Sequence, residues 1–561
     1  MRERSTIAKL IAVLIALVLV AAACGDDDDD GGDTAAGDEG GGGQGEAGGE
    51  LVDLGTFSSA APQHIDPALN VELDSYQVVT ALYDGLTDID FSDPENPEVK
   101  GLVAESFEPN EDATEWTFTL KEGLTFSDGE EVLPSSFVRA WERASDPDFA
   151  GSYSYLFEFI EGGAEKLEGT AETISGVTAD DEARTLTVRL AAPYGNFPSV
   201  AGFQLFFPMP SAVEDLDDQT EWENGLMVGN GPYKLAEPRS EQEIVLERND
   251  EWAGDFRGTE RASLDKVTFG VSQDPDSAYN AFEAGEGDTA NIPPGRVQEA
   301  DENYATTLET TILGSYHFPI NLRDPAIGGP ENLDLRKAVS LAIDRDEINE
   351  AVYDGTRTTS TGITPEGIPG WKAGLCEFCA YDQEAAQKSF DAWTAAGNSL
   401  DEPLRIQFNA GAGHEDVVQI MIDNLSAIGI EAVAEPFPTE TYFSQLAEGA
   451  CQICRAGWFA DYPTYDNFMY DLFHTDSLDG NNYGFSNPEF DELVAQAKSE
   501  TDTEKAAELY QQAEQILLNE EVGVIPLNWY RGDYVYNPDK VSNFAQSPVG
   551  IIAFEKVTVT G

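Results

Sequence analysis

The length of the chain body is the feature that most limits its fold. Residues 51–561 make a segment of about 510 residues with ordinary apolar content and many aromatic side chains. Because a single hydrophobic core stops growing at about 250–300 residues, this segment is expected to divide into two or three lobes. Within this segment no apolar run is long enough to cross a membrane, so the body is expected to be soluble.

The first 23 residues have the pattern of a signal peptide. Three basic residues precede an apolar stretch from Leu10 to Ala22, which is too short for a stable span of a bilayer ~30 Å thick. Small residues then precede Cys24, a pattern that resembles the lipobox of bacterial lipoproteins, although Ala21 stands where leucine is common. The resemblance implies acylation of Cys24 and tethering to the outer face of the cytoplasmic membrane. The alternative is an ordinary cleaved signal with an incidental cysteine.

Residues 24–50 are predicted to form a disordered acidic linker behind the lipidated cysteine. They are almost entirely Gly, Asp, Glu and Ala, and they include five consecutive aspartates, Asp26 to Asp30. Such a segment has too little apolar surface to offset the entropy lost on ordering, and its like charges favour extension. The aspartate run lacks the spaced ligands and the turn glycine of a calcium-binding loop, so we interpret it as a solvated tether.

The net charge excludes several classes of partner. The chain has 105 acidic and 31 basic residues, a difference of 74 negative charges. Nucleic acid is excluded because phosphate binding requires Lys and Arg, and electrostatic adhesion to anionic lipid is disfavoured. Such an excess of carboxylates also suits a surface that stays hydrated in high salt, which leads to the hypothesis of a halophilic source.

The four cysteines of the body form two CxxC pairs. Cys376 and Cys379 follow a glycine-rich turn in which a tight bridge forms easily, and a compartment outside the cytoplasm favours disulfides. Cys451 and Cys454 lie in a segment predicted as a strand, where residues three apart point to opposite faces. A local bend near Gly449 or cross-pairing between the two motifs would resolve this geometry, and a zinc site is the alternative. We expect two structural disulfides and no metal or other cofactor.

Strand and helix patterns follow one another along the body without a regular order. Alternation of apolar and polar residues predicts half-buried strands over 115–121, 185–190 and 243–248. Helical spacing predicts a helix over 76–83, a helix capped by Ser135 or Ser136, and long amphipathic helical regions over 334–354 and 489–520. Because these elements do not repeat as βαβ units, the fold is predicted to be α/β with mixed sheets in more than one lobe.

No arrangement of residues indicates catalysis. The four histidines are widely separated, and His414-Glu415 does not extend to the HExxH motif of metalloproteases. Neither a nucleophile elbow nor a phosphate-binding glycine loop is present. With so many acidic residues, close carboxylate pairs are unavoidable and give little support to a glycosidase. We therefore expect no enzymatic activity, and an exported hydrolase is the alternative from another functional class.

One segment combines opposite charges in a way that suits a small ligand. The sequence Arg455-Ala-Gly-Trp-Phe-Ala-Asp-Tyr-Pro463 follows a predicted strand, at the kind of edge where ligands bind in α/β folds. Arg455 offers a planar pair of donors for a carboxylate, and Asp461 complements an ammonium group. The two side chains are able to hold opposite ends of a short zwitterion such as a peptide. The other interpretation is a surface arginine and a turn-capping aspartate.

Taken together, many short blocks make the chain resemble the extracellular solute-binding proteins of ABC importers, family 5, and most closely the oligopeptide-binding members. The similarity runs from about residue 55 to 545, and the blocks occur in family order. They include His64-Ile-Asp-Pro67, Leu82-Tyr-Asp-Gly-Leu86, Gly101-Leu-Val-Ala-Glu-Ser106, Trp116-Thr-Phe-Thr-Leu-Lys-Glu-Gly123, Phe126-Ser-Asp-Gly129, Asn230-Gly-Pro-Tyr-Lys-Leu235, Val245-Leu-Glu-Arg-Asn249, Leu335-Arg-Lys-Ala338, Ala342-Ile-Asp-Arg345, Arg455-Ala-Gly-Trp-Phe-Ala-Asp-Tyr462 and Ser486-Asn-Pro-Glu-Phe-Asp491.

The resemblance implies a two-lobed fold of the periplasmic-binding-protein type (type II, cluster C) with mixed sheets, a hinge and a third, smaller domain. Carried over to this chain, lobe I would comprise 51–84, 213–313 and 531–561. The inserted small domain would comprise 85–212, and lobe II would comprise 314–530. The ligand would be buried between the lobes, which close by a hinge.

The resemblance also implies roles for single residues. Asp461 matches the aspartate that receives the α-ammonium of a peptide, and Arg455 matches the arginine that pairs with the carboxylate of short peptides. His414 matches a histidine that reaches the C-terminus of longer peptides. Trp458 would form a wall of the pocket, and Tyr153 would meet the peptide backbone.

The implied function is the capture of short peptides by a monomeric, lipid-anchored receptor that delivers them to the membrane subunits of an ABC permease. Tyr353 stands where relatives have a lysine that helps to bind longer peptides, which leaves the preferred peptide length open. The alternative within the same role is a non-peptide solute such as nickel, haem, an opine or an oligosaccharide.

Overall fold

The structure is a computed structural model, and it describes residues 48–560 apart from 94–96, 150, 217, 226, 257, 305–306, 412, 439–440, 443–444, 447, 478–482 and 501. The predicted signal peptide, Cys24 and the linker up to residue 47 therefore lie outside the described residues. Within the described ranges, we find no helix long and apolar enough to cross a bilayer.

The strands are short, except for two of 13 residues each. In chain order they are β1 (Glu50–Asp53), β2 (Thr87–Asp90), β3 (Glu98–Gly101), β4 (Ala104–Pro109), β5 (Glu115–Leu120), β6 (Val177–Asp180), β7 (Thr185–Arg189), β8 (Tyr233–Leu235), β9 (Glu243–Arg248), β10 (Lys266–Gly270), β11 (Thr289–Asn291), β12 (Thr307–Pro319), β13 (Thr358–Thr359), β14 (Leu404–Asn409), β15 (Ala432–Phe437), β16 (Ile453–Cys454), β17 (Ala456–Phe459), β18 (Val524–Tyr536), β19 (Val541–Ser542) and β20 (Thr558–Val559).

The helices are concentrated in the second half of the chain. In chain order they are α1 (Leu73–Leu82), α2 (Pro134–Ala144), α3 (Gly163–Leu167), α4 (Phe197–Val200), α5 (Pro275–Glu283), α6 (Val297–Asn303), α7 (Leu333–Ala342), α8 (Arg345–Tyr353), α9 (Gln383–Ala395), α10 (His414–Ala427), α11 (Asp466–Phe473), α12 (Pro488–Ser499) and α13 (Thr503–Gln515).

A mixed sheet of nine strands runs through the molecule. Its spatial order is β17-β12-β18-β11-β1-β10-β9-β8, and β13 pairs with β18 outside this order. Strands β1 and β10 are parallel, whereas β12 is antiparallel to both β17 and β18. The sheet therefore combines strands from the first and second halves of the chain.

The long ladder between β12 and β18 crosses the lobe boundaries proposed from the sequence. Thr307 pairs with Val535 at one end, and Pro319 pairs with Val524 at the other. The boundaries at 313/314 and 530/531 thus fall inside the two strands. Each strand continues from one proposed lobe into the other. The two proposed lobes are therefore connected by this pair of strands.

Two smaller sheets each belong to one side of this ladder. The antiparallel sheet β4-β5-β7-β6 lies within residues 85–212, and the parallel sheet β15-β14-β16 lies within 314–530. One buried apolar cluster joins the segment 85–212 to the proposed lobe I, because Leu51, Val79 and Val267 pack in the same core as Phe118 and Trp141. In the second half, the described residues form further apolar clusters around Ile406, around Phe468 and around Tyr442.

Close backbone packing explains why two of the sequence blocks occur together. A Cβ atom on Gly229 would lie 1.9 Å from the Leu82 carbonyl oxygen, and one on Gly231 would lie 2.6 Å from the Tyr83 nitrogen. Only glycine leaves room for this turn against the end of α1. Asn230 then accepts a hydrogen bond from the Asp84 amide at 3.1 Å and fixes the turn.

Several local predictions differ from the structure in their details. The region 334–354 forms two helices, because Asp344 ends one and caps the next by accepting a hydrogen bond from the Glu347 amide. The region 489–520 likewise divides at Asp502, the N-cap of α13. Helix α2 begins after Leu133, and the predicted cap Ser136 lies inside its first turn, where its hydroxyl accepts from the Leu133 amide.

Candidate functional site

Two adjoining cavities are candidates for the site; the smaller lies between segments of the two proposed lobes, and the larger is lined by the proposed lobe I and the segment 85–212. The smaller, of about 300 Å³, is lined by Thr56 and Asn291 on one side and by Arg357 and Phe459 on the other. The larger, of about 700 Å³, is lined by α1 together with the segments 83–92 and 545–556. The cavities share Gln77 and Gln546, so they adjoin each other. Their combined volume is typical of a small-molecule or peptide site.

Strand β17 lies at one end of the nine-stranded sheet. It pairs with β12 through Gly314 to His317, and no other described strand pairs with it. A strand at the edge of a sheet has backbone donors and acceptors available for an extended ligand. The two charged residues that the sequence singled out, Arg455 and Asp461, flank this edge strand.

Asp461 is half-buried and held from two directions. Its Oδ1 accepts a hydrogen bond from the Tyr153 hydroxyl at 2.9 Å, and its Oδ2 accepts one from Asn467 Nδ2 at 3.0 Å. Tyr153 belongs to the segment 85–212, whereas Asn467 lies on α11. Burial and the negative charges of Asp88 and Asp461 raise the pKa of Tyr76, a residue that lines the larger cavity. The Phe203 ring packs on both Tyr76 and Tyr153, so a chain of ring contacts leads from Asp461 to this cavity, although Asp461 is not part of its lining.

Arg455 is half-buried at the other end of β17. Its Nη2 donates to the Tyr530 hydroxyl at 3.2 Å and its Nη1 to Asn409 at 3.5 Å, while its guanidinium carbon lies 5.1 Å from the centre of the Tyr316 ring. Its Nε has no hydrogen-bond partner, and no described carboxylate forms an ion pair with it. Tyr530 connects this guanidinium to the smaller cavity, which it lines.

A second guanidinium, Arg357, lines the smaller cavity directly. Its guanidinium carbon lies 3.6 Å from the centre of the Tyr353 ring and 5.0 Å from that of Tyr530, and its Nη1 donates to Asn528 at 3.1 Å. As with Arg455, no ion pair joins it to a described carboxylate. Arg357 was not identified from the sequence. It lies about 100 residues before Arg455, and only the pairing of β13 with β18 brings it to the cavity.

His414 lies behind the cavity lining, at the start of α10. It is 5% exposed, and its ring stacks on Tyr316 with a hydrogen bond of 2.9 Å between Nδ1 and the Tyr316 hydroxyl. Burial first, and then the charges of Arg455 and Arg357, lower the pKa of His414 to about 3. The imidazole is therefore neutral at physiological pH. Its contact with a longer ligand stays a prediction, since His414 lines neither cavity.

Trp458 stands between the two charges on β17. Its side chain is half-buried and its indole Nε1 donates to Asn467 Oδ1 at 2.9 Å. The same asparagine oxygen accepts the backbone N–H of Asp461 at 3.0 Å. Asn467 thus connects the predicted wall residue to the predicted ammonium-binding residue. Sequence reasoning did not identify it.

A cluster of rings and charges joins the segment 85–212 to the helices α11 and α12. The Lys498 ammonium lies 3.4 Å from the centre of the Phe159 ring, 3.9 Å from Tyr470 and 4.8 Å from Tyr194. The Tyr194 hydroxyl donates to Asp466 on α11. Burial lowers the pKa of Lys498, against the opposing effect of the nearby carboxylates. The cluster is therefore a second contact, besides the Tyr153–Asp461 bond, between the segment 85–212 and the second half of the chain.

Each CxxC motif closes on itself as a disulfide. Cys376 bonds to Cys379 with Cα atoms 5.4 Å apart, and Cys451 bonds to Cys454 with Cα atoms 5.7 Å apart. The second bridge is possible because β16 begins only at Ile453, so the chain bends before it. Cross-pairing is therefore wrong. Among the described residues, no group of three or more His, Cys, Asp or Glu side chains is arranged to hold a metal ion.

Comparison with known proteins identifies the family. Residues 98–480, more than half of the chain, match the bacterial extracellular solute-binding proteins, family 5 Middle. The chain belongs to this family. The dipeptide-binding protein DppE of Bacillus subtilis (strain 168) is 28% identical over 502 residues, which cover 88% of this chain and 89% of DppE.

Solved structures agree over almost the whole length. The murein tripeptide binding protein MppA of Escherichia coli has a TM-score of 0.77 at 26% identity, covering 91% of this chain and 98% of MppA. Haemophilus influenzae OppA, in complex with RPPGFSPFR, has a TM-score of 0.76 at 27% identity, covering 92% of this chain and 100% of OppA. The predicted two-lobed α/β fold is thereby confirmed. Family 5 proteins are non-enzymatic components of transporters, so the prediction that this chain is not an enzyme is also confirmed.

Proposed function

We propose that the protein is the lipid-anchored receptor of an ABC importer and that it captures short peptides between its two lobes. The observation that carries the proposal is the edge strand β17, flanked by a half-buried anion and a half-buried cation. The relatives named above bind a dipeptide, a tripeptide or a longer peptide according to their names and titles. Delivery to a permease follows from the family role.

The anionic end would bind the peptide amino terminus. Asp461 is kept in one orientation by Tyr153 and Asn467 on its two oxygens, and each carboxylate oxygen is able to accept more than one hydrogen bond. An ammonium group adds charge-assisted bonds to a carboxylate that is already partly removed from water, where the attraction is stronger than at a surface.

The cationic end would bind the peptide carboxylate. Arg455 and Arg357 are arranged around the rings of Tyr316 and Tyr530, and neither forms an ion pair within the described part of the chain. Two guanidinium groups at different positions along the cleft suit carboxylates of peptides of different length. The six-residue separation of Arg455 and Asp461 spans at most ~20 Å of extended chain, which corresponds to about five or six residues of an extended peptide.

The peptide backbone would lie along β17 as an additional strand. Main-chain hydrogen bonds to an edge strand give affinity without regard to side chains, so the receptor would accept many sequences. Trp458 and the smaller cavity, which Phe459 of β17 lines, would accommodate the side chains. Tyr153 would contact the amino-terminal end through its bond to Asp461.

Calorimetry with tri- to pentapeptides tests the proposal. Wild type is expected to bind peptides with free termini at least ~30-fold more tightly than their N-acetylated forms, because a buried charge without its partner costs about 2 kcal/mol or more. Asp461→Asn is expected to lose this preference, whereas Asp416→Asn, at an exposed aspartate of α10, is expected to keep it. Equal binding of free and acetylated peptides by wild type, or binding of nickel, haem or sugars alone, would contradict the proposal.

The anchor has its own experiment. Cells expressing the full chain are grown with a radiolabelled fatty acid, and the label is expected on wild type and absent from Cys24→Ser. Label on neither protein would remove the lipid anchor from the proposal and leave peptide capture unaffected.

A further inference from the structure

The side chain of Asn467 makes four hydrogen bonds in a fully buried position on α11. Its Oδ1 accepts from Trp458 Nε1 at 2.9 Å and from the Asp461 backbone N–H at 3.0 Å. Its Nδ2 donates to Asp461 Oδ2 at 3.0 Å and to Asp471 Oδ2 at 2.8 Å. Asn467 is 0% exposed, so these four bonds use the two donors and the two lone pairs of its amide.

The partners leave the amide only one orientation. Both groups that face Oδ1 are N–H donors, and both groups that face Nδ2 are carboxylate oxygens. A flipped amide would place donor against donor and acceptor against acceptor at all four positions, at a cost of several hydrogen bonds. Asn467 is therefore a rigid connector between its neighbours.

We infer that Asn467 is the positioning residue of the binding site, and this inference rests on the proposed function of Asp461. One amide fixes three things at once: the backbone before the Asp461 side chain, one oxygen of its carboxylate, and the plane of the Trp458 indole. A ligand ammonium then meets a carboxylate whose direction is set before binding, which avoids the entropy cost of ordering it. The same bond sets the aromatic wall beside the ligand.

The chemistry of the side chain explains why asparagine is needed. Aspartate would offer no donor to the two carboxylates, and leucine would offer neither donor nor acceptor. Serine, with one hydroxyl, can replace only part of the set. Asn467→Leu is therefore expected to disturb the site more than Asn467→Ser.

The test measures a ratio that a merely structural role would not change. For each variant, calorimetry gives the Kd of one tripeptide with a free amino terminus and the Kd of its N-acetylated form. Asn467→Leu is expected to lower the ratio of acetylated to free Kd at least tenfold, with the acetylated Kd changed less than threefold. Asn467→Ser is expected to lower the ratio by an intermediate amount. If Asn467→Leu does not fold, the serine variant tests the inference alone.

Asn332 provides a matched control. It is 5% exposed, accepts from the indole Nε1 of Trp393 at 2.9 Å and donates to the Gly328 carbonyl at 2.7 Å, so it resembles Asn467 chemically but lies away from Asp461. Asn332→Leu is expected to lower the melting temperature and leave the ratio unchanged. An Asn467→Ser or Asn467→Leu protein that is folded and keeps the wild-type ratio within threefold overturns the inference while the proposed function stands. If wild type itself binds both peptide forms equally, the proposed function and the inference fall together.

Discussion

Replacing Asp471 by asparagine is expected to stabilise the protein at neutral pH. Asp471 is 4% exposed, and its Oδ2 accepts from the Tyr462 hydroxyl at 2.9 Å and from Asn467 at 2.8 Å, whereas its Oδ1 has no hydrogen-bond partner. Burial, and then the charge of Asp466, raise the pKa of Asp471 from 3.8 to about 8. At pH 7 the native carboxyl is therefore protonated. An asparagine at this position would keep both bonds to Oδ2 and place its NH₂ group where the acid carries its proton.

The size of the effect follows from the proton balance. In the unfolded chain the Asp471 carboxyl ionises near 3.8, so above this pH the native state retains a proton that the unfolded state releases. Each pH unit in this window costs about 1.4 kcal/mol, which gives at most about 4 kcal/mol at pH 7. Because the native pKa is raised, the contribution of Asp471 to the free energy of unfolding is fully present below pH 3.8. It is lost as the pH rises to about 8. Asparagine does not titrate, so its advantage is expected to grow from pH 4 to pH 7.

Urea unfolding followed by circular dichroism at four pH values between about 4 and 7 measures this difference. Contributions of titrating groups that do not interact with Asp471 cancel between wild type and variant. Asp301→Asn, at an exposed position of α6, is the control and is expected to change the unfolding free energy by less than about 0.5 kcal/mol at every pH. A difference between Asp471→Asn and wild type that is the same at pH 4 and pH 7 would refute the reasoning.

Three further outcomes are expected. Lys498→Met removes a cation from the rings of Phe159 and Tyr470. The substitution is expected to lower the unfolding free energy by about 1–2 kcal/mol. An unchanged urea midpoint would argue against a stabilising cluster. Arg143→Met leaves Asp66 buried without the two hydrogen bonds of 3.1 and 2.6 Å that Arg143 donates to it. The substitution is expected to lower the unfolding free energy by about 3–5 kcal/mol in the same assay. A loss below about 1 kcal/mol would show that the pair is dispensable. Because the 74 excess negative charges repel one another, the thermal midpoint is expected to rise between about 0.1 and 1 M NaCl, and insensitivity to salt would remove the halophilic hypothesis.

Local pattern was enough to predict the elements that have one buried face. Strand β5 alternates between buried and half-buried residues, as Trp116, Phe118 and Leu120 indicated, and β9 has the predicted bounds of Glu243 and Arg248. Pattern was insufficient where a helix is interrupted by a cap. Asp344 and Asp502 are each the N-cap of a new helix inside a region whose apolar pattern predicted helix throughout.

The candidate site was predicted in part, because only some of its residues are adjacent in sequence. Trp458 lies on β17, and Arg455 and Asp461 flank this strand, so their spacing in the sequence was informative. Arg357 reaches the cavity through strand pairing, and Asn467 acts through four hydrogen bonds that no sequence motif records. A buried asparagine with a complete set of partners is visible only once the backbone has brought them together.

The arrangement around Asp461 connects ligand capture with closure of the lobes. Its two oxygens accept hydrogen bonds from Tyr153 and Asn467, which belong to segments on opposite sides of the proposed cleft. If the segment 85–212 moved away, Asp461 would lose the Tyr153 bond and gain water, and its attraction for an ammonium group would weaken. Under the proposed function, a peptide would bind the closed arrangement more tightly than the open one, and this difference in affinity would shift the population toward the closed state. Since β12 and β18 continue across both proposed lobe boundaries, we expect the movement that admits the ligand to bend these two strands rather than to separate independent bodies.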